Sequence, residues 1–250
     1  MARTFNGSTD QIDTGTGIPW PTTALTWSVW WYLTAIGANS YRGLSVANTS
    51  GAGLFARLGL NGFRGWAAYV PVTGGGGFVS VDLNPNSNLW SLNTWNTITA
   101  TYDTTNGLNA YLNGVSGGTA AANGNVNFTA VKLSMGYDPG SAGRNVTGNL
   151  ADTVVWSVAM TQLEVTALAK GIRPSQLRTK NLVGWWPLDG LQSPEEDISG
   201  NKNNGTLTGT TLGFGPPFNQ FTPKIPGTII PGAITASSVF ISSPHALGVL

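Results

Sequence analysis

Trp95-Asn-Thr-Ile-Thr-Ala-Thr-Tyr-Asp103, then Thr104-Thr-Asn-Gly107, then Leu108-Asn-Ala-Tyr-Leu112, is the stretch on which the fold turns. Ile98, Ala100 and Tyr102 fall on one side of its first part and Thr97, Thr99 and Thr101 on the other. That is the period of two by which a strand sends alternate side chains to opposite faces. Asn106-Gly107 supplies the positive φ angles of a tight turn, and alternation resumes after it. The stretch predicts an antiparallel hairpin with one apolar face and one hydroxyl-rich face.

The same punctuation runs along the chain. Asn-Gly occurs six times, at Asn6, Asn61, Asn106, Asn113, Asn123 and Asn204, with short alternating runs between. In Leu25-Thr-Trp-Ser-Val-Trp-Trp-Tyr-Leu33 one face carries Leu25, Trp27, Val29, Trp31 and Leu33, and the other Thr26, Ser28, Trp30 and Tyr32. Both faces are partly apolar, as expected of a strand in the middle of a sandwich. Further strands are expected at 131–136 and 150–157. One helix is signalled: Thr161-Gln-Leu-Glu164 is a capping box, Leu163, Ala167 and Leu168 follow on one face, and Gly171 supplies the stop. At about nine residues it is too short to stand alone and must pack on the sandwich.

Composition narrows the function. Charged residues make up 9% of the 250, with 34 Gly, 10 Trp, no Cys and a net charge of +1. Such a chain has no field to hold nucleic acid, no thiolate chemistry and no disulfide framework. The N-terminus lacks the apolar core of a secretory signal, and no stretch approaches 18 uninterrupted apolar residues, so no membrane span is expected. From Pro216 onward the composition changes to six of the fourteen prolines, one lysine and no acid. Prolines forbid a helix there, so the reading is a sandwich over 1–215 and an extended arm over 216–250.

The ordered motifs Phe5-Asn-Gly-Ser-Thr-Asp-Gln-Ile-Asp13, the Trp27 strand, the hairpin leading to Tyr111-Leu-Asn-Gly114, and Gly148-Asn-Leu-Ala-Asp-Thr-Val-Val-Trp156 resemble the laminin G-like, concanavalin A-like superfamily. The resemblance spans roughly residues 5 to 212. It implies an all-β, antiparallel two-sheet jelly roll with a short closing helix. Leu182-Val-Gly-Trp-Trp-Pro-Leu-Asp189 and the loop from Asp197 to Gly205 resemble the stretch that usually opens such domains, yet here they come last. That order reads as a circular permutation, since the other reading, a truncated tandem copy, would leave an unpaired half domain. By analogy it is associated with tailed-phage structural proteins, which are made in the host cytoplasm and assembled into the virion.

Candidate residues follow from both lines of reasoning. Asp152 falls among apolar neighbours and must be paired or bound to metal. The resemblance implies calcium at Asp152, Asp197, Asn201 and Asn204, while the alternative is that these residues bond backbone amides in Asx turns. Trp30, Tyr32, Trp66, Tyr69 and Trp90 are candidate stacking platforms for sugars, against the alternative of core packing. Lys170, Arg173, Arg178 and Lys180 form a basic cluster within eleven positions, either a solvated face or a contact with an acidic subunit. Glycoside hydrolysis needs paired carboxylates across a cleft. The chain has three Glu, of which Glu164 caps the helix and Glu195-Glu196 lies in a loop, so no catalytic role is expected.

Two functions are thus expected. The first is a non-enzymatic virion component, such as a capsid decoration protein. It would join the major capsid protein or neighbouring copies, as a homo-oligomer in an assembly, through Arg173, Arg178 and Lys180 and through Ile229, Ile230, Val239, Phe240 and Ile241 of the arm. The second is a lectin-like module of a tail fibre or of the capsid surface that binds host-surface glycans with calcium.

Overall fold

The computed structural model describes residues 1–35, 42–48, 56–61, 65–74, 77–82, 91–128, 131–139 and 143–217. Ile229, Ile230, Val239, Phe240 and Ile241, in the stretch expected to form an arm, and Trp90 lie outside them.

The strands are β1 (Ala2–Asn6), β2 (Gln11–Thr14), β3 (Ala24–Leu33), β4 (Arg42–Asn48), β5 (Ala56–Asn61), β6 (Gly65–Pro71), β7 (Phe78–Asp82), β8 (Trp95–Asp103), β9 (Gly107–Leu112), β10 (Val115–Ala120), β11 (Val131–Met135), β12 (Thr147–Trp156), β13 (Leu182–Trp186), β14 (Gly205–Thr208) and β15 (Thr211–Gly213). They form two antiparallel sheets. One has eight strands in the order β10-β9-β8-β3-β12-β1-β15, with β13 also paired to β12. The other has seven, in the order β14-β2-β11-β4-β5-β6-β7. Among the described residues no helix is long and apolar enough to cross a membrane.

Alternation builds the core between the sheets. Leu25, Trp27, Val29, Trp31 and Leu33 of β3 meet Ile98, Ala100 and Tyr102 of β8 there, as the hairpin pattern predicts. Ile12, Leu44, Val46, Ala68, Val70, Val79, Val81, Leu133 and Met135 close it from the other sheet. Each of the Val, Leu, Ile and Met side chains among them contributes about 1.5–3 kcal/mol on burial.

The helix, α1 (Gln162–Ala169), starts at the predicted capping box: the Thr161 hydroxyl accepts from the Glu164 amide, and Glu164 accepts from the Thr161 amide. Its packed face differs from the expected one. Val165 and Leu168 are buried on the outer side of the eight-stranded sheet against Tyr111, Trp156, Met160 and Trp185, while Leu163 is 79% exposed. Val165 and Leu168 are three positions apart and share a face, and Leu163 lies off it.

The late segment belongs to the sandwich. β13 extends the pairing of β12, β14 borders β2, and β15 borders β1 with Ala2 opposite Gly213. Val183, Trp186 and Leu188 enter the main core. The first and last strands of the described sandwich are therefore neighbours, the condition under which a terminal strand can be supplied from either end of a chain.

Candidate functional site

Register aligns one position from every strand of the seven-stranded sheet: Thr206, Asp13, Ser134, Ser45, Arg57, Tyr69 and Ser80. Asp13, Ser134, Ser45, Tyr69 and Ser80 alternate with core residues, so their side chains stand on the face turned away from the core.

Asp13 organises one end of this row. Its carboxylate accepts from Lys132 Nζ at 2.7 Å, from Ser134 Oγ at 2.5 Å and from Tyr137 Oη at 2.8 and 2.9 Å. Partial burial works against the Lys132 ammonium, but the hydrogen bonds to Asp13 and Tyr137 hold its pKa above the usual lysine value. Burial, and then Asp13 beside it, push the Tyr137 phenol upward. The cluster thus holds a charged ammonium at neutral pH and a neutral phenol whose one hydrogen is given to Asp13. At the centre of the row the Ser45 side chain is fully buried, and its hydroxyl has no hydrogen-bond partner among the described residues. At the other end the Tyr69 ring lies 5.8 Å from Phe78, which is 50% exposed. Four strand spacings separate the strands of Asp13 and Tyr69, about 19 Å. The face therefore pairs hydrogen-bonding groups with an aromatic platform, the combination that binds polar molecules carrying apolar faces. Tyr69 was a sequence candidate. Asp13, Lys132, Ser134, Tyr137, Ser45 and Phe78 were not, although Gln11-Ile-Asp-Thr and Lys132-Leu-Ser-Met alternate in the way that marks an outward polar set.

The other aromatic candidates lie elsewhere. Tyr32, on the outer side of the eight-stranded sheet, meets Phe214 edge-on at 4.7 Å and Trp95 at 5.6 Å. Trp30 is 9% exposed and packs on Ala2, Ala151 and Trp95, so its ring is occupied in packing. The backbone of Trp66 runs in β6, and its side chain lies outside the described set.

Asp152, Asp197, Asn201 and Asn204 gather around β13, but their groups are spent on protein partners. Asp152 sits in a bulge of β12 with φ 47°. Its Oδ1 accepts from the Trp185 indole at 2.8 Å, and its Oδ2 is 3.3 Å from the Arg173 guanidinium, which also lies 5.5 Å from the centre of the Trp185 ring. Burial pushes the Asp152 carboxyl up to about 6, against the downward pull of Arg173 and the Trp185 bond. Asp197 accepts the amides of Trp185, Ser199 and Asn203, each at 2.9 Å. The Asn204 carbonyl accepts the Asp197 amide, and Asn201 donates to Leu182 and Val183. These four residues do not fit the expected calcium ion. The side-chain oxygens of Asp152, Asp197 and Asn204 face N–H donors, Asn201 is held through its Nδ2, and Arg173 already supplies the positive charge that Asp152 needs. Among the described residues no group of three or more His, Asp or Glu is placed to hold a metal.

Two members of the basic cluster are paired with acids of the same chain. Arg173 pairs with Asp152, and Arg178 Nε lies 2.5 Å from Glu164 Oε1, which the bond holds below the usual carboxylate range. Lys180 is exposed. Glu195 is fully buried, 2.9 Å from Arg3.

Residues 6–166 match the family described as the concanavalin A-like lectin/glucanases superfamily. No curated protein matches. Among solved structures, a candidate carbohydrate-binding protein from Bacteroides ovatus is 19% identical with a TM-score of 0.61, covering 84% of this chain. The chain spans 58% of that protein's length. The CBM40 of the Ruminococcus gnavus IT-sialidase, bound to α2,3-sialyllactose, is 16% identical with a TM-score of 0.53, covering 65% of this chain and 93% of that one. A heptameric SAP-like pentraxin from Limulus polyphemus is 16% identical with a TM-score of 0.51, covering 69% and 83%. At these identities the likeness is one of fold. With most of its length matched and both sheets in place, the chain belongs to the concanavalin A-like lectin/glucanases superfamily.

Proposed function

We propose that this protein is a non-catalytic, lectin-like module that binds glycans on the outer face of its seven-stranded sheet. The observation that carries the reading is the transverse row, with the Asp13–Lys132–Ser134–Tyr137 cluster at one end and Tyr69 with Phe78 toward the other. Sugars present hydroxyls at their edges and C–H groups on their faces, so an oligosaccharide several residues long matches hydrogen-bonding side chains at one end of the row and an aromatic platform about 19 Å away at the other. The Bacteroides ovatus and Ruminococcus gnavus proteins, one a candidate carbohydrate binder and the other bound to a sialylated trisaccharide, support this reading by fold. The alternative as a virion component rests on the arm over 216–250 and on analogy, and no feature of the described sandwich favours it.

A glycan microarray probed with the full chain tests the proposal. The expected result is binding to a discrete set of glycans, unchanged by a chelator, with signal reduced at least about tenfold by Tyr69→Ala, the cost of losing one aromatic contact. A flat array, or identical signal from the variant, would overturn it.

A further inference from the structure

A second surface carries sugar-binding chemistry apart from the seven-stranded sheet. On the outer side of the eight-stranded sheet an open depression of about 370 Å³ runs between the β8–β9 hairpin and the start of α1. Thr101 and Asn109, opposite one another in register, contribute to its lining, with Asp103 and Asn106 at one end and Gln162 of α1 across from them. Tyr111 contributes a largely buried ring.

Some polar groups of this groove hold it together, and others are left for a ligand. Among the described residues, Asp103 Oδ1 accepts the amides of Thr105 and Asn106, and Oδ2 accepts the Asn106 side chain alone, at 2.9 Å, which leaves Oδ2 one acceptor site. Burial would raise the Asp103 carboxyl, yet those three bonds together hold it below the usual carboxylate range, so it is an ionised acceptor. Gln162 donates through Nε2 to the Gly114 carbonyl and the Thr166 hydroxyl, and its Oε1 makes no bond among the described residues. The Asn109 amide and the Thr101 hydroxyl make none either. The groove thus combines a carboxylate acceptor, an amide able to donate and accept, and a hydroxyl able to do both. Adjacent hydroxyls of a sugar are complementary to that set, since each is at once donor and acceptor. Among the described residues no Lys or Arg lines the depression, and Asp103 would repel an anion, so the ligand carries no negative charge.

We propose that this groove is a second glycan-binding site, selective for neutral sugars with adjacent free hydroxyls, which would make the domain bivalent. The inference rests on the reading of the chain as a glycan binder but not on the seven-stranded face.

The test is an amide-resolved NMR titration of the full chain with a panel of neutral methyl glycosides of gluco, galacto, manno, xylo and fuco configuration. The expected result is saturable shifts at residues 101–111 and 159–162 for at least one sugar. Asn109→Ala, and separately the isosteric Thr101→Val, should weaken them at least about tenfold, the effect of one or two lost hydrogen bonds, while leaving the thermal transition and any shifts near Asp13 and Tyr69 unchanged. Shifts confined to the Asp13 and Tyr69 face would overturn the second site and leave the first reading intact. Silence throughout the panel would overturn the second site, and glycan binding as a whole would then stand or fall on the array.

Discussion

Asp152 is only 4% exposed and sits at positive φ in the middle of a strand, with Arg173 and Trp185 as its partners. Its environment raises its pKa to about 6 in the folded state, against 3.8 for the free group. Between those values the native protein keeps a proton that the unfolded chain has released. Stability should therefore fall as pH rises from about 4 to about 6 and stay level above, by at most about 3 kcal/mol for this group. Asp152→Asn keeps an acceptor for the indole and removes the titration. Urea unfolding from pH 4 to 7 should show the wild type losing stability relative to the variant across that window; parallel curves would contradict the assignment. At this scale the sequence was partly legible. A carboxylate on an apolar face had to be paired, but Arg173 lies 21 positions away in an irregular segment, with no periodicity to tie the two together. Asp197 reads similarly: Asp-Ile-Ser-Gly fits a turn as well as a metal loop, and only the three amides converging on its oxygens decide between them.

The elements were legible where pattern and local chemistry agree. The alternation in β3 and β8 and the capping box of α1 fix the face or start of each element from a few neighbouring residues. The buried face of α1 was not, because the eight-residue helix carries apolar residues at Leu163, Val165, Ala167 and Leu168, and the choice among them is made by Trp156 and Trp185 beneath. The transverse row was illegible for a similar reason: its members come from seven separate strands, and only register brings them together. One element contact has a measurable consequence. Arg3 of β1 reaches Glu195 in the loop after β13, with both side chains under 5% exposed, and Glu195 also accepts the Gly190 amide. Glu195→Ala leaves a buried guanidinium without its counter-charge and should cost about 3–5 kcal/mol. Chemical denaturation of the variant would show this; a loss below about 1 kcal/mol would mean that water reaches Arg3.

For the whole molecule, the order of segments matters more than any single contact. Residues 182–213 supply one interior pairing and an edge strand to each sheet, and place Trp186 and Leu188 in the core. A chain ending at residue 181 should fail to give a cooperative thermal transition, and adding 182–217 as a separate peptide should restore one if the segment is a docking element in its own right. A cooperative transition without the peptide would show that this segment only decorates the sandwich. The sandwich class was legible from turns and alternation alone, and the late position of the Trp185-Trp186 segment was visible as a departure from the usual order. What it completes became clear only from β14 beside β2 and β15 beside β1. Low charge, which in the sequence served to exclude nucleic acid, suits a fold whose outer faces carry hydroxyls, amides and aromatic rings.

The central claim is that the seven-stranded face binds sugar, and the most direct measurement is calorimetric titration of the strongest array glycan into wild-type protein and the Tyr69→Ala variant. Affinity should fall at least about tenfold in the variant, with an unchanged thermal midpoint. Equal affinity for both proteins would contradict the assignment of this face as the binding site.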